Sequence, residues 1–137
     1  MNSLTIDKIK VGDFAENKKA FTEADVLEFA RISGDFNSAH IDVDYAKTTK
    51  FKKRIVHGLL TAGLISSLLG MELPGKGTLY LEQNLQFLAP VYFNEQITAR
   101  VEVIEIIDNK KVKLKTTCKN SEGILVINET ALVYPPR

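Results

Sequence analysis

The chain carries two histidines, and one of them, His40, follows an acid, Asp35, in the stretch SGDFNSAH at 33–40. A carboxylate and an imidazole that meet can hold a water, take its proton and return a proton to carbon, which is general acid–base chemistry. On a continuous helix, residues five apart point about 140° apart and diverge. Gly34, Asn37 and Ser38 work against a continuous helix, because glycine is flexible and short polar side chains compete for backbone hydrogen bonds. A loop can bring the pair together. It can equally leave Asp35 in a local Asx-type turn and His40 as an ordinary packed histidine, and the D-x4-H spacing alone leaves both open.

The elements around this stretch can be read from period and punctuation. Residues 9–19 read as a first strand or strand pair. A helix is predicted over 22–32: Thr22 caps it, Asp25 completes an acidic variant of the capping box, and Phe21 and Val26 take the two positions of a hydrophobic staple. Gly34 is placed to stop it, so the SGDFNSAH stretch starts where a helix ends. A short helical turn is expected around 43–49. Residues 55–71, IVHGLLTAGLISSLLGM, contain no Asp, Glu, Lys or Arg. A membrane span needs about 20 mostly apolar residues, and this run also carries a His, Gly and Ser. It reads as a helix buried nearly all round.

The second half supplies what could bury it. Segments 79–87, 97–106, 112–119 and 124–134 are strand candidates, most with period-two patterning, and DNKK and NSEG sit between the last three as hairpin turns. Helix-rich first half and strand-rich second half predict an α+β protein. An antiparallel β-sheet wrapped around a long central apolar helix is the hot-dog arrangement, here expected as one domain over 1–137.

Bulk composition narrows the function classes. The 18 basic and 17 acidic residues nearly cancel, which argues against a general nucleic-acid surface. One cysteine, Cys118, excludes an internal disulfide and fits a reducing compartment. Its strand setting makes it structural. MNSLTIDKIKVGD has neither a signal-peptide core nor an Arg-rich amphipathic pattern, so the cytoplasm is expected. GMELPGKGT at 70–78 comes within one residue of a phosphate-binding P-loop, but Gly77 stands where Ser or Thr should bind magnesium, and helix and strand come in the wrong order. It is a turn. No Cys, His or carboxylate cluster has metal-ligand spacing, and no metal is expected.

The run FARISGDFNSAHIDVDYA (29–46) resembles the signature of the MaoC-like hydratases, the family containing the (R)-specific enoyl-CoA hydratases. Phe29, Ile32, Ser33, Gly34, Asp35, Asn37, His40 and Ala46 fall on its positions. Ser38 and Ala39 stand where the family usually has Pro and an aliphatic, and Arg54 where it commonly has Pro. IVHGLLTAGLISSLLG resembles the family's central helix and LPGKGTLYLEQNLQFLAPV its next strand and loop.

The resemblance implies reversible hydration of a trans-2-enoyl-CoA to the (R)-3-hydroxyacyl-CoA. It implies that Asp35 and His40 handle the water and the proton, and that the Gly58 N–H receives the thioester oxygen. Asn37 and Ser66 join the oxyanion and substrate-binding set, Ser66 as a polar residue lining the pocket, although it could equally be a small residue that suits helix packing. A glycine without Cβ at a helix start also suits such a donor physically, although Gly58 could simply ease packing. His57 in the family is not the catalytic histidine and is expected to be packed and hydrogen-bonded.

Coenzyme A enters as part of the substrate, with no other cofactor. The expected partners are the acyl-CoA thioester and a second copy in a homodimer, with no nucleic acid and no membrane. The five basic residues of KTTKFKKR (47–54) are either a solvated face or contacts for coenzyme A phosphates. The rival readings are a hot-dog acyl-CoA thioesterase and a non-catalytic acyl-thioester-binding protein.

Overall fold

The computed structural model describes residues 2–137. After a 3₁₀ turn at Ile6–Lys8 come strand β1 (Phe14–Ala20), helices α1 (Glu23–Ser33), α2 (Ser38–Ile41), α3 (Val43–Thr48) and α4 (Gly58–Met71). Strands β2 (Leu79–Gln83), β3 (Gln86–Phe87), β4 (Gln96–Ile107), β5 (Lys111–Lys119) and β6 (Leu125–Tyr134) complete the chain. The antiparallel pairs run β1-β4-β5-β6-β2, with β3 also on β6. This is the α+β hot-dog sheet, and α4 packs on β1, β4 and β5.

Alternation builds the inner face. Ile97, Ala99, Val101 and Val103 of β4 meet Val112, Leu114, Thr116 and Cys118 of β5, all buried. Asp108 and Asn109 take positive φ in the β4–β5 turn, as an Asx-rich tight hairpin requires. In β6 the register slips opposite Cys118 and Lys119, so that Val126 is an extra residue. A bulge of this kind lets two consecutive side chains face inward, and Val126 and Ile127 are both buried.

α1 starts as its sequence demands. The Thr22 hydroxyl accepts from the Asp25 N–H, the Asp25 carboxylate accepts from the Thr22 N–H, and Gly34 closes the helix at φ 80°. Both staple residues, Phe21 and Val26, enter the core. Such a cap contributes about 1 kcal/mol.

Four expectations change. The first strand begins at Phe14, because Val11 and Gly12 form a turn. The segment 79–87 is two strands, separated at Asn84–Leu85, and the first of them carries a bulge between Tyr80 and Glu82. The apolar helix begins at Gly58, since Ile55 pairs with Tyr92 as an isolated bridge and Val56 N–H donates to Val91 C=O at 2.7 Å. Nor is it buried all round: Thr61, Leu64, Ile65, Leu68 and Leu69 face the sheet, but Leu59 is 63% exposed and Gly63, Ser66 and Ser67 are open. One chain's sheet covers one side of a helix.

Candidate active site

Three side chains, those of Ser33, Asp35 and Asn37, shape the turn that carries the acid. At the end of α1 the Ser33 hydroxyl donates to Phe29 C=O (2.7 Å) and accepts from the Asp35 N–H (3.1 Å). Asp35 Oδ1 then accepts from the Asn37 N–H at 3.2 Å, an Asx-type turn. Asn37 Oδ1 caps α2 by accepting from the Ala39 N–H at 3.1 Å. Asp35 does make the local turn, with one oxygen; Oδ2 has no partner among the described residues.

His40 therefore sits in one turn of helix rather than in open loop. It is latched from the other side: Ile55 N–H donates to Ala39 C=O at 3.1 Å, and His40 Nδ1 lies 2.6 Å from Ile55 C=O. A carbonyl can only accept, so Nδ1 carries the proton and Nε2 of the neutral ring is a free acceptor. Burial holds the His40 pKa below the ordinary histidine value; the nearby His57 adds to this, while the Ile55 carbonyl and Asp35 oppose it.

His57, just before α4, is fully buried and joins the two halves. Its Nε2 donates to Asp35 C=O at 2.9 Å, and its ring stacks on His40 with centroids 3.9 Å apart. Phe29 packs against it at 4.8 Å. Sequence reading expects a packed, hydrogen-bonded histidine here; its contact with both Asp35 and His40 carries no sequence signal.

Asp35, His40 and His57 each bring one ligand-type atom within 4.8 Å of the others, a cluster that linear spacing did not reveal. The two imidazoles lie face to face, at 29° between planes, rather than edge-on toward one point as metal coordination at about 2.0–2.1 Å requires. A water suits the gap better. One ligand-type atom of Asp35 and one of His40 lie within 4.8 Å, a separation that a single water can bridge with two hydrogen bonds of ordinary length.

This pair opens on a cavity of ≈ 260 Å³ whose lining also includes Gly58, Thr61, Phe87, Pro90, Val91 and Ile127. α4 starts here without a side-chain cap. The N–H groups of Gly58, Leu59 and Leu60 have no acceptor among the described residues, and the helix dipole adds partial positive charge at this end. A Cβ on Gly58 would lie 2.5 Å from Phe87 Cε1. A side chain here would have to displace the Phe87 ring, and the absence of Cβ leaves the helix end open to the cavity.

The structure brings together Asp35, His40 and Gly58. It does not bring Asn37 or Ser66 to them. Asn37 is spent on capping α2 and does not line this cavity. Ser66, two turns along α4, lines a separate depression with Tyr80, Leu81 and Gln83 that meets the first at Leu59. Phe87, Val126 and Ile127 line the cavity although their sequence shows only strand patterning, because the bulge that turns two of them inward leaves no mark in composition.

The sequence model of the MaoC like domain matches residues 9–123. The chain belongs to this family. Within the MaoC-like family it is 42% identical over 132 residues to the (R)-specific enoyl-CoA hydratase of Rhodospirillum rubrum, covering 96% of this chain and 92% of that one. It is 41% identical over 134 residues to the (R)-specific enoyl-CoA hydratase of Aeromonas caviae, covering 97% and 100%. Among solved structures, the A. caviae (R)-hydratase superposes with a TM-score of 0.91 at 43% identity over 93% of this chain and 98% of that one. An unliganded R-hydratase of Pseudomonas aeruginosa superposes with a TM-score of 0.93 at 37% identity, covering 98% and 87%.

Proposed function

We propose that this MaoC-like protein is an (R)-specific enoyl-CoA hydratase, interconverting trans-2-enoyl-CoA and (R)-3-hydroxyacyl-CoA. The observation that carries this reading is the convergence of Asp35 and His40, within 4.8 Å, on a cavity that also reaches the uncapped start of α4. The (R) assignment draws on the hydratases to which the chain is similar along nearly its whole length.

The chemistry follows from the charges. Carboxylate and neutral imidazole are both acceptors, so a water between them has its hydrogens engaged and a lone pair free for Cβ of the enoyl group. As that bond forms, electron density moves through the alkene to the thioester oxygen. The N–H of Gly58 and its helix dipole stabilise the enolate, an interaction stronger in the transition state than in the substrate. The Asp35–His40 pair takes the water proton and delivers a proton to Cα. No hydride moves, so no redox cofactor is required, and coenzyme A arrives with the substrate.

The open stripe of α4, where exposed Leu59 shares a depression with exposed Tyr80 and Leu81, suits a second copy of the chain, and we assign a homodimer through this face. No helix of the described residues is long and apolar enough to cross a membrane. The one cysteine, Cys118, is a free and buried thiol, which fits a reducing compartment, and we infer the cytoplasm as the working one.

Incubation with crotonyl-CoA tests the reaction. Loss of enoyl absorbance without free thiol, with (R)-3-hydroxybutyryl-CoA as product, is expected. Thiol release would make the protein a thioesterase, and binding without turnover would make it a non-catalytic acyl-thioester-binding protein.

A further inference from the structure

Of the two histidines, the hydration chemistry uses His40 and leaves His57 out. His57 is 2% exposed, yet its Nδ1 has no hydrogen-bond partner among the described residues. A buried nitrogen without a partner is unfavourable, and a phenylalanine ring would fill a similar space without one. Packing alone therefore does not call for an imidazole here.

What the imidazole adds for Asp35 is a donor. The Asp35 carbonyl can only accept, so His57 Nε2, at 2.9 Å, carries the proton. The other ties on Asp35 are local: its N–H donates to the Ser33 hydroxyl and its Oδ1 accepts from the Asn37 N–H. Those two shape the turn. The bond from His57, 22 residues away, is the one hydrogen bond among the described residues that ties Asp35 to the rest of the molecule.

What it adds for His40 is a covering face. The rings are stacked at 3.9 Å and 29°, so His57 keeps water from one side of His40. Asp35 and His57 are the other titratable groups that line the cavity with it. Asp42, two residues along the chain, is turned to the start of α3, where it accepts from the Tyr45 N–H at 3.1 Å. Arg54, beside Ile55, is paired with Glu23. Loss of water first, and His57 alongside, favour the neutral His40 ring.

His57 has no place for a second proton. That proton would go on Nδ1, which is buried with nothing to accept from it. It would also stand at the positive end of the α4 dipole, against the His40 ring. The ring therefore touches both members of the pair while staying uncharged.

Resting on the hydratase reading, we propose that His57 is a positioning residue with two separable duties: its Nε2–H sets where the acid stands, and its ring face holds His40 as a neutral proton acceptor. It takes no proton itself.

Two substitutions divide the duties. In His57→Gln the amide nitrogen can replace Nε2 on the Asp35 carbonyl, but the ring face is gone. His57→Phe keeps a ring face and loses the donor. With crotonyl-CoA across pH, His57→Phe is expected to lose about 10–100-fold in kcat, as a displaced reacting group does. Its KM should change less than kcat, and the acid limb of kcat/KM should stay where the wild type has it. His57→Gln should lose less kcat, while its acid limb moves up toward the ordinary histidine value of about 6.5. Equal losses in both variants, with neither limb moved, would overturn the proposal and leave His57 a packing residue. Nitrogen NMR on histidine-labelled protein reads the rings without turnover, since two histidines give two ring systems. His40 should titrate at higher pH in His57→Gln than in the wild type, and wild-type His57 should keep Nδ1 bare while the protein is folded. A His57 ring that gains a proton before His40 does would overturn the proposal even if His57→Phe fails to fold. The expected titrations without turnover of crotonyl-CoA would sink the hydratase reading and leave the hold of His57 on His40 standing.

Discussion

The β4–β5–β6 sheet and the segment 33–58 solve the same problem in opposite ways. In the sheet, backbone groups pair strand to strand, with Val101 opposite Thr116 and Leu114 opposite Ala131, and side chains are free to fill the core. In 33–58, backbone groups are held by side chains: Ser33, Asp35, Asn37, Asp42, His40 and His57 each bond main chain in the turns between α1 and α4. A ladder shares its load over many rungs. A segment pinned by single side chains can hold an acid and an imidazole at a fixed gap, but each pin is a place where the arrangement fails. Sheet substitutions should therefore cost stability, and substitutions in the pinned segment should cost rate.

The largest effect expected is on rate. Asp35→Asn keeps an oxygen for the Asn37 N–H, so the turn survives, but it removes the carboxylate. We expect kcat for crotonyl-CoA hydration to fall by about 10²–10⁴, with little change in melting temperature. In the sheet, Leu114→Ala should do the reverse: about 2–5 kcal/mol less stability in urea titrations, for a side chain with no exposed surface, and normal kcat per folded molecule. If both variants lost rate and stability together, the division between the two regions would fail.

Smaller effects sharpen it. Asn37→Ala removes the α2 cap and should cost about 1 kcal/mol, yet lower kcat severalfold, because His40 rides on that turn. Stability against pH reads His40 directly. Its pKa is depressed on folding by burial, so as pH falls below about 6.5 the unfolded chain takes the proton first. Stability then drops as pH falls, levelling only below the folded pKa. Subtracting the curve of a His40→Gln variant should isolate that slope; a difference that stays flat from pH 7 to 5 would mean that His40 is not held neutral.

The same contrast explains what sequence conveys. Strand alternation and the Thr22–Asp25 capping box are local patterns that report local structure, and the sheet and α1 follow them closely. An apolar run at 55–71 tells that a helix shuns water but not whether one chain or two exclude it, and α4 shows an open stripe at Leu59, Gly63 and Ser66. The meeting of Asp35 with His40 depends on Ile55 and His57, more than a dozen residues away in sequence, so spacing could allow the pair but not establish it. Asn37 belongs to the same signature by sequence, but its side chain is consumed in building the turn. The register slips within β2 and β6, the second of which turns Val126 inward, were hidden because a single extra residue changes no composition.

The central claim is that Asp35 and His40 act together on one water. A double-mutant cycle tests it: kcat/KM for crotonyl-CoA in wild type, Asp35→Asn, His40→Ala and the combined variant. Residues that work as a unit lose their effect once either is gone, so the combined variant should be within a few-fold of the slower single variant. Losses that multiply, each residue subtracting its full effect in the absence of the other, would contradict the account.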